Sequence, residues 1–346
     1  MTLTEKEVTF SAEYFIHGIV LHLSTNSEEV LEAIDQLMFP FHDAVGEGTS
    51  SAHLSFHLTS LDRWEDIPKL VPSHAKVLYR SSADDTFDLR EIYGLTLVCR
   101  FDGEVIYWDF GERGLVTCDS GGGQAQGFLV GADKVPKSLI SHTIFLASLN
   151  ELLRARGVFP IHAASVSLDG MGVVMSGLSG SGKTTCCISL VLGGFDFLSD
   201  DRSLLRQNEG DLEMLSFPEG VDVTENTVAI FPELEASLGH QEKRGARKRS
   251  FLMEAVRPGS LVDRCVPRLL LFPTVGPDGK SELQRVSKSW ALQQLLPQSL
   301  LVFDPRSAAR QFDALSSLVE GTESYSLRCG EDIRHLPEIV RRLLKG

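Results

Sequence analysis

The sequence predicts an α/β phosphate-binding domain over residues 136–346, preceded by an α+β domain over residues 1–135. Three observations predict it. A run Gly177-Leu178-Ser179-Gly180-Ser181-Gly182-Lys183-Thr184 matches G-x-x-x-x-G-K-[ST] at every fixed position. An apolar strand, GVVMS, leads into that run and a helix leads out of it. Before residue 135 the pattern is mostly strand-like, with a single clear helix.

In chain order, VTFSAEYF and HGIVLHLS read as strands and EEVLEAIDQLMFPF as an amphipathic helix. AHLSFHLTSL, AKVLYRS, YGLTLVCRF and GEVIYWDF read as strands separated by turn residues, with SGGG at 120–123 as a loop. A helix is expected from Pro136 to Arg156, with Gly157 as its C-cap. AASVSL and GVVMS form a hairpin joined at Asp169-Gly170, a turn pair. A helix from Lys183 to Leu192 ends at Gly193-Gly194, and FDFLSDD follows as a strand. Further strands are expected at 203–206, 213–217 and 267–272, and an amphipathic helix near 332–344. Gly239 to Ser250 is the most loop-like stretch of the C-terminal half.

Composition bounds the function. With 346 residues, 42% hydrophobic and 23% charged, the chain has the balance of an ordinary globular protein. A net charge of -14 argues against nonspecific binding to nucleic acid or to anionic membrane, which need excess Lys and Arg. One local basic cluster stands out: Lys243, Arg244, Arg247, Lys248 and Arg249. It could close over a triphosphate or an acidic acceptor, or simply be a solvated loop. No apolar run has the length of a membrane span, and the N-terminus lacks a signal-peptide pattern. Six cysteines without CxxC spacing argue against structural zinc, and the expected location is a reducing cytoplasm. Adjacent Cys186 and Cys187 fall on the predicted helix, face different directions and are expected to fill core space.

The glycine-rich run has a physical reading at each position. Glycines let successive N–H groups turn inward around phosphate oxygens. The helix opening at Lys183 aims its N-terminal dipole at the same anion. Lys183 adds a full charge, Thr184 offers a hydroxyl to Mg²⁺, and Thr185 closes the binding stretch. Asp200 and Asp201 end the next strand; in a parallel sheet its carboxyl end would lie at the ligand side. Neighbouring side chains of an extended strand point to opposite faces. One acid can therefore serve the cation while the other faces an acceptor. His162, alone after a Phe-Pro, would by itself read as structural.

The stretch IHAASVSLDGMGVVMSGLSGSGKTTCCISLVLGGFDFLSDD resembles the catalytic domain of HPr kinase/phosphorylase and its relatives, a core also similar to phosphoenolpyruvate carboxykinase. His162 lies fifteen residues before Gly177, and Asp200 lies twenty-three after it. The resemblance implies an α/β fold of the HPr kinase/phosphoenolpyruvate carboxykinase-like type and a cytoplasmic, Mg²⁺-dependent kinase using ATP. It implies Asp200 as acceptor of the substrate hydroxyl's proton, Asp201 as the metal- and phosphate-side acid, and His162 beside them. Thr184, Asp201 and Glu225 would serve the metal, Glu225 being offset by one from the family's glutamate. The Leu-Glu-Ile-Arg-Gly signature of true HPr kinases is absent, so the implied acceptor is a serine hydroxyl of another protein or a peptide. Relatives form oligomers, which makes a homo-oligomer an expectation. Two alternatives stay open: a nucleotide-dependent switch module without kinase activity, and a small-molecule kinase.

Overall fold

The computed structural model describes residues 10–42, 52–81, 95–208, 210–239, 248–276, 279–299 and 302–345. It is a mixed α/β structure of two compact units. One comprises residues 1–156 with 302–308, the other residues 157–301 with 309–346. The division thus falls at 156/157 rather than the expected 135/136. The reason is packing: the segment from Leu139 to Ala155 is apolar on the face that covers the first sheet. Among the described residues no helix is long and apolar enough to cross a membrane.

The first unit is built on one eight-stranded sheet in the order β1-β2-β3-β8-β7-β6-β5-β4. The strands are β1 (Phe10–Ile16), β2 (Ile19–Thr25), β3 (Ala52–Leu61), β4 (Lys76–Arg80), β5 (Val98–Phe101), β6 (Ile106–Asp109), β7 (Gly114–Asp119) and β8 (Gln124–Val130). Alternation sets its faces: Leu21, Leu23, Leu54, Phe56 and Leu58 are buried, while His22 between the first two and His53 before Leu54 are exposed. Helix α1 (Glu28–Met38) begins where Ser27 Oγ accepts from the Val30 amide, and buries Val30, Ile34 and Leu37. The expected helix from Pro136 is a π-helical segment, Leu139–Phe145, that runs into α2 (Leu146–Ala155). Its Phe145 ring meets Phe56 edge-on at 5.2 Å. Helix α2 also carries Glu151 and Arg154, a fully buried ion pair at 2.7 Å, with the Phe303 amide donating to Glu151 at 2.8 Å.

In the second unit, two long strands organise the sheet. Strand β9 (Val158–Leu168) turns at Asp169-Gly170 into β10 (Met171–Ser176). Both turn residues have positive φ, 51° and 77°, as a two-residue hairpin of this hand requires. Along the other edge of β9 run β11 (Asp196–Ser199) and β12 (Arg202–Asn208), both antiparallel to it. Strand β16 (Arg264–Val275) pairs with β13 (Asp211–Leu215), then runs parallel to β10 and to β18 (Glu323–Cys329). Antiparallel β17 (Glu282–Arg285) forms the edge beyond β18.

The sheet is therefore mixed, and the strand carrying the acids is not parallel to its neighbour as expected. Because β9 runs antiparallel to both β10 and β11, those two still point the same way. Their carboxyl ends emerge at one end of the sheet, which gives the geometry wanted for a ligand side.

Alternate residues of β10 and β16 serve two cores. Val173, Met175, Leu269 and Leu271 pack with helix α3 (Lys183–Leu192), Phe231, Leu336 and Val340. Val174, Leu270 and Phe272 pack on the other face with Leu295, Leu315 and Leu318. The last helix, α4 (Leu336–Lys345), fulfils the amphipathic expectation for the C-terminus.

Candidate functional site

The carboxyl ends of parallel β10, β16 and β18 converge on the glycine-rich loop. Gly182 adopts φ 102°, and a Cβ there would lie 3.7 Å from Val275 and 3.8 Å from Cys329. A side chain would be strained at that φ, so the pattern's second glycine has a local cause. At Gly177 a Cβ would sit 2.9 Å from Ser181 Oγ, inside the loop's own turn. The loop delivers the chain into α3, whose first turn has no side-chain cap. An uncapped helix start presents N–H groups and a positive dipole end to an anion.

Lys183 is buried at 6% exposure, and its Nζ donates to the carbonyls of Gly177 at 2.7 Å and Leu178 at 3.2 Å. Ser179 and Gly180 are exposed at the loop's crown, and Leu178 is 65% exposed. Ser176 Oγ and Ser181 Oγ are buried with no hydrogen-bond partner. Thr185 Oγ1 lies 3.3 Å from Thr227 Oγ1, tying the helix to the short helix Glu225–Ile230.

Asp200 and Asp201 sit in the break between β11 and β12. Ser199 still pairs with Ser165, and Arg202 pairs with His162. The two acids fall between those ladder positions and turn in opposite senses. Asp200 is buried, accepts from Thr184 Oγ1 at 2.9 Å, and has its other oxygen, Oδ1, without a partner. Burial, followed by the charge of Asp201, pushes its carboxyl up to about 7, against the Thr184 hydrogen bond and Lys183; Asp222 adds to the rise.

Asp201 is exposed on the opposite side, and His162 Nδ1 lies 3.1 Å from both its carboxylate and its backbone carbonyl. Loss of solvation beside its neighbours would by itself raise its pKa. The His162 hydrogen bond and charge, with Arg202 and Lys183, outweigh that and hold it well below the usual carboxylate range. Two acceptors at Nδ1 place a proton there, so that whenever the ring is neutral its lone pair is on Nε2.

Two of the residues expected to serve a metal with Thr184 are not brought to it in the structure. The acid joined to the Thr184 hydroxyl is Asp200, not Asp201, because only Asp200 stays on the inner side of the strand break. Glu225 is not brought to the acids; its carboxylate pairs with Arg249 at 3.3 Å and is 65% exposed. Arg249 also pairs with Glu235 at 2.6 Å. Of the basic cluster, Lys243, Arg244 and Arg247 lie outside the described residues.

The sequence reading missed two groups. Asp222 acts on Asp200 through its charge and accepts from the Ser250 hydroxyl. The alternation in Val221-Asp222-Val223, with both valines buried, carried that signal. Arg202 is 9% exposed, lies over the Phe217 ring at 5.3 Å and reaches Glu219 only at 3.9 Å. Its Nε and Nη1 make no hydrogen bond, so a buried guanidinium with open donors stands beside the acid pair.

Among the described residues no group of three or more His, Cys, Asp or Glu side chains is arranged to hold a metal. Thr184 and Asp200 offer two oxygen donors, and a cation held there would need phosphate or water oxygens to complete its shell.

Residues 135–238, which include the loop and both acids, match the family model described as ScmC, SynChlorMet cassette protein ScmC. No curated protein matches the chain. Among solved structures, the chain is similar to the Hpr(Ser) kinase/phosphatase from Coxiella burnetii at 12% identity. That likeness covers 54% of this chain and 93% of that one, with a TM-score of 0.29.

Proposed function

We propose that the chain is a kinase that transfers the γ-phosphoryl group of ATP, with Mg²⁺, to a hydroxyl group, a serine of a protein or peptide. The observation that carries the proposal is the hydrogen bond from Thr184 at the loop's end to the buried Asp200. It puts a carboxylate and a hydroxyl side by side at the opening of an uncapped helix. The residues fit the proposed ligands. Loop amides, Lys183 and the unpartnered Ser181 hydroxyl are donors for a polyphosphate. Thr184 Oγ1 and the open Oδ1 of Asp200 are hard oxygen ligands for Mg²⁺. When bound, Mg²⁺ would neutralise charge developing on the phosphate oxygens.

The acceptor side belongs to His162 and Asp201. Asp201 fixes the ring through Nδ1, and Nε2 takes the proton of the acceptor hydroxyl. This moves the base role from Asp200, where the resemblance put it, to the pair whose contacts leave a basic nitrogen open. Phosphoryl transfer depends chiefly on positioning and charge neutralisation, and Lys183 is the cation placed for both.

The test is transfer from γ-labelled ATP to serine-containing peptides or to proteins of a cell extract, read beside ATP affinity. His162→Gln should lower transfer by about 10²–10⁴ while leaving ATP affinity near that of the parent. ATP binding without transfer to any acceptor, and without slow ATP hydrolysis, would favour the switch-module reading.

A further inference from the structure

Cys186 and Cys329 come from distant parts of the chain, and their sulfurs lie 3.4 Å apart. Cys186 is fully buried in the first turns of α3, and its amide donates to the carbonyl of Gly182 at 3.0 Å. Cys329 ends β18, and its carbonyl accepts from Gly276 at 3.1 Å. It is the one cysteine of the six that is not buried. Its sulfur also lies 3.8 Å from where a Cβ of Gly182 would stand. One thiol pair thus touches both the last glycine of the loop and the helix that follows it. Cys187, its neighbour in sequence, points elsewhere, its sulfur being 3.9 Å from the Ser199 carbonyl.

We propose that Cys186 and Cys329 are an oxidation site, and that the disulfide formed between them weakens phosphate binding at the glycine-rich loop. The effect on the loop rests on the nucleotide-binding reading above; the formation of the bond does not. The oxidant is hydrogen peroxide. The Cys329 thiolate attacks one peroxide oxygen, the O–O bond breaks, and hydroxide leaves, giving a sulfenic acid on Cys329. The Cys186 sulfur then attacks that sulfur, the S–O bond breaks, and water leaves with the Cys186 proton. Two thiols have given two electrons to one peroxide.

The order follows from access and ionisation. Cys329 is the half-buried member of the pair, whereas Cys186 is fully buried. The hydrogen bond with Cys186 lowers its pKa against the effect of burial, and the Thr274 backbone adds to the lowering. The same contact, with burial, raises Cys186, which keeps it a thiol and leaves the first attack to Cys329.

Closing the pair to a disulfide length of about 2.05 Å needs a movement of more than an ångström. Cys186 is fixed by core packing and by its helical hydrogen bond, so the end of β18 must give. The Cys329 sulfur lies 3.8 Å from the Cβ position of Gly182, whose φ of 102° is part of the loop's own turn, so a shift of the strand end reaches the loop. Loop amides aimed at a phosphate would lose alignment.

The full chain would be treated with hydrogen peroxide, alkylated and mapped as peptides without reduction. The expected product is a Cys186–Cys329 cross-linked peptide, reversed by dithiothreitol and absent from Cys329→Ser. In Cys186→Ser, dimedone should label Cys329. Titration with a fluorescent ATP analogue should show affinity about tenfold weaker after oxidation, restored by reductant and unaffected by peroxide in Cys329→Ser. Absence of the cross-linked peptide overturns the site, and a cross-link with unchanged affinity overturns its effect on the loop. If the reduced wild type binds no nucleotide, the functional reading fails and the effect with it, while the cross-linked peptide still upholds the pair.

Discussion

Replacing Asp200 by Asn should make the protein more stable at pH 8 while removing a group the proposed chemistry needs. Burial raises the Asp200 carboxyl from 3.8 to about 7. Between those values the folded protein keeps a proton that the unfolded chain has released. Stability therefore falls as pH rises through this window, and levels off above it. A rise of about three units corresponds to at most about 4 kcal/mol, since each unit is worth about 1.4 kcal/mol. Asparagine carries no charge to desolvate, and its oxygen can still accept from Thr184. Its N–H₂ needs partners where Oδ1 now has none, which returns about 1–3 kcal/mol.

The net expectation is a gain of about 1–3 kcal/mol at pH 8, shrinking toward zero or below at pH 5. Asp201 does not confuse the reading. Its pKa is depressed, so its contribution is complete above the unfolded value and is lost only in stronger acid. Urea denaturation of both proteins from pH 5 to 8, without nucleotide or divalent cation, gives the comparison. A variant less stable than the parent at pH 8, or a parent whose stability is flat across the window, would refute the assignment of a buried, charge-averse Asp200.

Two further outcomes are expected. Lys183→Ala should weaken Mg²⁺-ATP binding roughly ten- to a hundredfold in calorimetric titration, the value of one charge-assisted contact, and unchanged affinity would contradict the phosphate role. In the first unit, Arg154→Met should cost about 3–5 kcal/mol in denaturant unfolding, because it strands the fully buried Glu151 carboxylate. The double change with Glu151→Leu should recover most of that, and a single variant within about 1 kcal/mol of the parent would show that the pair is not isolated from water as its burial implies.

What the sequence made legible was what short-range chemistry controls. Asp169-Gly170 demanded a tight hairpin, Gly157 a helix end, and the glycine-rich run a bend between strand and helix; these are local requirements on φ. The acids' nearness to the loop was also readable, from the short chain between them. Which acid meets Thr184 was not. That depends on where the ladder with β9 breaks, and Ser199 and Arg202 find their partners 34 and 40 positions away, in Ser165 and His162. The same limit explains Glu225. An acid at the first position of a short helix gave no hint that Arg249, across the β14–β15 pairing of Val221–Thr224 with Lys248–Phe251, would claim it. The boundary of the first unit was misplaced because an amphipathic helix shows that it has an apolar face and not which sheet that face covers. Residues 302–308 join that unit through contacts such as Ser120 with Asp304 at 2.7 Å, which no sequence pattern near either residue announces.

The break that holds Asp200 and Asp201 also acts as a ruler on how this chain can change. Two residues, and only two, separate the ladder position of Ser199 from that of Arg202, opposite Ala163 and Ala164 on β9. Losing or gaining one residue there would slip β12 by one position and send Leu204 and Leu205 each to the wrong face. The hairpin tip is different, since nothing lies within 4 Å of a Cβ at Gly170. Descendants of this sequence can lengthen at Asp169-Gly170 without disturbing the acids. Between Ser199 and Arg202 they can exchange side chains but not count, so the adjacency of the two carboxylates is inherited from strand pairing as much as from chemistry.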